Sequence, residues 1–126
     1  MKKLTLLFFL LITVATFADV YDEIGNAIRA GDAKQIANYF NTSVDLTIVN
    51  QEDVYSKVHA ELLVKDFFSK NPPKSFTVVH KGSSKEGTLF AVGNVTTTNE
   101  KTFRVSFVLK SSQGKYVIQE LRFENQ

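Results

Sequence analysis

The sequence predicts an α+β domain in which N-terminal helices pack on a strongly bent antiparallel sheet. Three observations carry this reading. Apolar residues recur at helical spacing from Val20 to Phe40 and again from Leu62 to Phe68, whereas from Phe76 onward they alternate with polar residues at period two. The later segments are joined by short polar connections of the kind that link antiparallel neighbours. In the last segment the apolar phase slips by one residue, which calls for a bulge and hence a bend.

Residues 1–18 read as an export signal. Lys2 and Lys3 form a positive start, Leu4 to Val14 is apolar apart from two threonines, and Thr16-Phe17-Ala18 supplies small residues for cleavage near Ala18. The run is too short for a bilayer core, which needs roughly 20 apolar residues, and no second such stretch follows. The expected product is an exported domain of residues 19–126, periplasmic or secreted, with no membrane span.

The first helix carries Val20, Ile24, Ala27 and Ile28 on one stripe and stops at Gly31. Asp32 stands where an N-cap belongs, with Gln35 three residues on, and opens a second helix expected to bury Ile36, Ala37, Tyr39 and Phe40. Asn41-Thr42-Ser43 is read as its end. Val44 to Val49 alternates as a short strand, and Asn50 to Asp53 reads as a polar turn. Ser56 caps a third helix holding Leu62, Leu63, Val64, Phe67 and Phe68, which Pro72-Pro73 terminates. Its wide apolar face predicts that most of it is buried.

Four strands are then expected at Phe76–His80, Leu89–Thr98, Thr102–Leu109 and Tyr116–Phe123. Phe103, Val105, Phe107 and Leu109 share one face, with Arg104, Ser106 and Lys110 on the wet face. In the last strand Tyr116 and Ile118 fall in one phase and Leu121 and Phe123 in the other, which locates a bulge near Gln119 and Glu120.

Without Lys2 and Lys3 the chain carries 13 basic and 13 acidic residues. A neutral domain with interspersed signs lacks the cationic face that phosphate-backbone binding requires, so no nucleic-acid partner is expected. The absence of cysteine removes disulfides, thiolate chemistry and a lipidated cysteine anchor. A domain of about 108 residues should bury roughly 65% of its unfolded surface, enough for a core without staples.

The breaker Ala30-Gly31-Asp32-Ala33, the following Ile36 and Phe40, and the closing run from Gly114 to Phe123 resemble the opening and last strand of the nuclear transport factor 2-like superfamily. Val54-Tyr55-Ser56-Lys57, Asp66-Phe67-Phe68, Asn71-Pro72, His80-Lys81-Gly82-Ser83-Ser84 and Phe103-Arg104-Val105 are similar to a small exported bacterial family of unknown function. The resemblance implies a cone-shaped, cystatin-like fold with a space between the concave sheet and the helices. It also implies that sheet-mediated dimers and isomerase, dehydratase or hydrolase chemistry occur among distant relatives.

Candidate chemistry is sparse. His59, in the first turn of the third helix, and His80, at a strand end, are the two histidines; Asp45, Tyr39, Tyr55 and Tyr116 complete the acid–base candidates. His80 alternates with Phe76 and Val78, so it could share their inward face. No His-x-x-x-His or His-Glu-x-x-His spacing is present, and Ser56, Ser83, Ser84 and Ser106 lack a nucleophile elbow, so no metal or other cofactor is expected. His80 to Lys85 fits a charged hairpin turn better than an anion nest. Phe67, Phe68, His80, Phe103, Phe107 and Tyr116 are the candidate pocket-lining residues, with core packing the default for their rings.

The leading expectation is an exported, non-catalytic binding module that takes a small apolar or amphipathic ligand in the cone or a protein partner on the outer sheet face. An isomerase- or hydratase-like enzyme using His80 or Asp45 is the second, and a structural homodimer through the sheet the third.

Overall fold

The computed structural model describes residues 19–126, so the export-signal reading of residues 1–18 lies outside the described residues. Two helices, α1 (Asp19–Ala30) and α2 (Ala33–Ala37), precede the hairpin strands β1 (Phe40–Ile48) and β2 (Gln51–Ser56). Helix α3 (Lys57–Lys70) then leads into β3 (Pro73–Ser83), β4 (Leu89–Thr97), β5 (Thr102–Ser112) and β6 (Lys115–Asn125). The strands form one curved, unclosed sheet in the order β2-β1-β6-β5-β4-β3. Every pairing is antiparallel except β1 with β6. The α+β class and the bent sheet therefore hold.

Local chemistry sets the helix ends. Gly31, at φ +65°, donates its N–H to Ile28 O at 3.0 Å while Asp32 N–H reaches Ala27 O at 3.0 Å, a Schellman closure of α1. A Cβ at Gly31 would also meet Pro73 Cδ at 3.0 Å, so only glycine suits both the conformation and the packing. Asp32 then caps α2, its carboxylate accepting Gln35 N–H at 3.0 Å. Ser56 caps α3 likewise, accepting His59 N–H at 3.3 Å.

Helix α2 is shorter than expected. It ends at Ala37, and Phe40 begins β1 instead, because Ile118 of β6 donates to Tyr39 O and pairs with Phe40. Asn41 to Ser43 thus lie inside a strand. The predicted turn at Asn50 to Asp53 shrinks to Val49-Asn50, and Gln51 to Asp53 open the edge strand β2, which pairs with β1 along its inner edge although its side chains are almost all exposed. Helix α3 is less buried than its apolar content suggests. Ala60, Val64, Phe67 and Phe68 are buried, whereas Val58 and Leu62 stay 71% and 58% exposed because α3 meets α2, β1 and β2 on one side and none of the described residues covers the other.

The core lies between these helices and the concave sheet face. Ile24, Ala27 and Ile28 of α1 and Ile36 of α2 share one core cluster with Val105, Phe107, Leu109, Ile118, Leu121 and Phe123, all essentially without solvent contact. The slip in β6 is a bulge as expected: Val108 faces Glu120 and Leu109 faces Ile118, leaving Gln119 unpaired, so Ile118 and Leu121 both reach the core. A second bulge sits at Val79, since Val78 faces Gly93 and His80 faces Val92.

Candidate functional site

The Val79 bulge decides the fate of His80. Phe76 faces buried Val95, but the extra residue reverses the alternation, so His80 stands opposite half-buried Val92 on the outer face. It is exposed beside Phe90, with ring centroids 5.7 Å apart. The expectation that it lines the interior is corrected accordingly.

The concave side holds a groove of about 490 Å³ between α3 and the sheet. Its floor is apolar: Leu46 and Ile48 come from β1, Phe67 from α3 and Phe103 from β5. The period of β1 turns Leu46 and Ile48 to the same side, and Val49 extends that wall. Val49 sits in the left-handed region at φ +60°, where its N–H donates to Phe123 O at 2.7 Å and continues the pairing of β1 with β6 past Ile48. Phe67 is the hub of an aromatic cluster, 5.0 Å from Phe103 and 4.7 Å from Phe123 between centroids. Leu63, Asp66, Phe67 and Lys70 line the groove at helical spacings of three and four, so one stripe of α3 forms its lid-side wall.

Polarity is graded along this groove. Leu63 and Tyr55 flank one end; Lys70, Asn71, Lys101 and Asn125 gather at the other. The turn between β4 and β5 holds them there. Buried Thr97 accepts Lys101 N–H on its hydroxyl at 3.1 Å, Thr98 N–H reaches Pro72 O at 2.8 Å, and the Asn99 amide donates to Lys70 O at 3.3 Å. Asn125 pairs with Phe103, two residues beyond Lys101. Asp66 is the one carboxylate on the lining and is bridged by Lys70 at 3.1 Å, while Lys101 takes part in none of the ion pairs among the described residues. On the outer face, Arg122 pairs with Glu52 at 3.2 Å and so ties β2, which supplies Gln51 and Tyr55 to the groove, across β1 to β6.

Of the six residues named from sequence, Phe67 and Phe103 line the groove. Phe68 packs under a shallow depression at the Ala30-Gly31 turn, and Phe107 is sealed in the core. Tyr116 is half-buried at the far end of the β5–β6 hairpin, close enough for its charge to act on Tyr21. The acid–base candidates are dispersed. Asp45 and His80 are absent from the groove, and His59 packs edge-on against Tyr55 at 5.0 Å. Tyr39 donates to Glu23, and partial burial, this hydrogen bond and the Glu23 charge push its hydroxyl up to about 12. Tyr21 is also raised, first by burial and then by Tyr116, with its hydroxyl donating to Gly82 O at 3.0 Å. No grouping of three or more metal-ligating side chains occurs among the described residues.

Sequence reasoning missed the polar end. Its residues lie on α3, the β4–β5 turn and β6, and the one local signal was the helical spacing of Leu63, Asp66, Phe67 and Lys70.

Residues 21–124 match the family model described as domain of unknown function DUF4783. Among solved structures, a family protein from Bacteroides uniformis is 31% identical, covers 85% of this chain and 97% of its own, and has a TM-score of 0.79. One from Bacteroides ovatus is 29% identical over 82% and 93%, with a TM-score of 0.77. A designed protein of the nuclear transport factor 2 type, 12% identical over 84% and 94%, has a TM-score of 0.65 and speaks to the fold alone. No curated protein matches the chain.

Proposed function

Given that the chain belongs to the DUF4783 family and has a nuclear transport factor 2-like α+β fold, we propose that it is an exported, non-catalytic binding module holding a small amphipathic molecule in the α3 groove. One observation carries this: an aromatic and aliphatic floor opens to solvent within a space of about 490 Å³, the size range of small-molecule sites. A carboxylate already bridged by lysine is the sole acidic group on its walls, so the lining holds no free acid–base pair. The enzyme alternative was built on His80 and Asp45, and neither side chain is on that lining. Export rests on residues 1–18 of the sequence, and no helix among the described residues is long and apolar enough to cross a membrane.

Native mass spectrometry of protein expressed with its own N-terminus tests the reading. The expected spectrum has the mass of a chain beginning near Asp19 plus a small adduct, and filling the groove with Leu46→Trp should remove that adduct. An adduct that survives Leu46→Trp, or no uptake when candidate amphiphiles are added, refutes the groove as the site. The same spectrum counts subunits and so tests the homodimer expectation.

A further inference from the structure

Resting on the groove reading, we infer that its occupant is an anionic amphiphile, with an apolar tail over Phe67 and Phe103 and a carboxylate head at Lys101. The chemistry follows from how the groove is polarised. Apolar side chains line one end and the floor, whereas both lysines and the Asn125 amide of the lining lie at the other end. Lys70 is already paired with Asp66, and Asn71 already donates its side-chain amide to Phe67 O at 3.2 Å. At that end Lys101 and Asn125 therefore remain as the uncommitted side-chain donors, and the lining as a whole carries two cations against one carboxylate. Lys101 is held in place by its backbone, since its N–H and carbonyl both bond to the Thr97 hydroxyl at 3.1 Å. A neutral head would forgo the charge pair with exposed Lys101, and a cationic head would be repelled by it.

The test compares three probes of equal chain length below their micelle concentrations: dodecanoate, dodecanol and dodecyltrimethylammonium. Titration calorimetry at low salt should rank dodecanoate first, about two- to five-fold tighter than dodecanol, as suits a solvent-exposed charge pair. Lys101→Glu should erase or reverse that preference while dodecanol affinity and melting temperature stay put, and Lys110→Glu on the outer face should change neither. Equal affinity for the alcohol and the acid, or a preference that survives Lys101→Glu, overturns the head assignment and leaves the groove standing. Failure of all three probes to bind overturns both.

Discussion

Gly93→Ala should destabilise this domain severely, while Gly25→Ala, against the same aromatic ring, should stabilise it. Phe76 of β3 is buried between the two glycines and joins α1 to the sheet, with Arg29 of α1 donating to its carbonyl at 3.0 Å. A Cβ on Gly93 would stand 2.5 Å from Thr77 O and 2.9 Å from Phe76 Cζ. The oxygen belongs to the backbone of the paired strand beside the Val79 bulge, so relief requires moving strand against strand rather than turning a side chain. Overpacking of this kind costs about 1–3 kcal/mol, and the backbone contact places Gly93→Ala at the upper end. On Gly25 the added Cβ would meet Phe76 Cε1 at 3.5 Å, an ordinary van der Waals distance. There the gain of alanine over glycine inside a helix, about 0.5–1 kcal/mol, should dominate. For a domain near 100 residues these values translate to a fall of roughly 10–20 °C and a rise of about 4 °C in Tm. Thermal melts followed by circular dichroism, with urea titrations alongside, measure both. A Gly93→Ala protein melting within about 2 °C of wild type would show that Phe76 does not lie against the Gly93 backbone and would refute the argument.

Two further outcomes are expected. Tyr39 has its folded-state pKa raised from 10.0 to about 12, so its contribution to stability is fully present below pH 10 and is lost as pH rises through 12. Melting curves between these values should fall more steeply for wild type than for Tyr39→Phe, and parallel slopes would remove the Tyr39–Glu23 link between α1 and the start of β1. Ser56→Ala removes the acceptor for His59 N–H at the start of α3 and should cost about 1 kcal/mol in urea unfolding, with Ser56→Asp restoring it; an unchanged midpoint would mean that the cap contributes nothing.

What the sequence determined by itself was whatever depends on neighbours along the chain. Gly31 and Asp32 mark a helix end and the next start, Ser56 and Pro72-Pro73 bracket α3, and the phase slip between Ile118 and Leu121 announces the β6 bulge. Each is a local conformational or hydrogen-bonding requirement that a few residues satisfy. The edge strand β2 escaped because Gln51 to Asp53 carry polar side chains and owe their strand to backbone bonds supplied by β1. His80 escaped because period two holds until a bulge, and nothing in Phe76 to His80 marks Val79 as the extra residue; pairing with β4 decides it. The groove lay furthest from view. Phe67 and Phe103 were legible as large rings, but whether a ring fills a core or walls a cavity depends on the gap left between α3 and the sheet. Only the tertiary structure carries the turn after β4 and the end of β6 to the C-terminal end of α3, because long-range packing, not spacing along the chain, makes Lys70, Lys101 and Asn125 one end of one site.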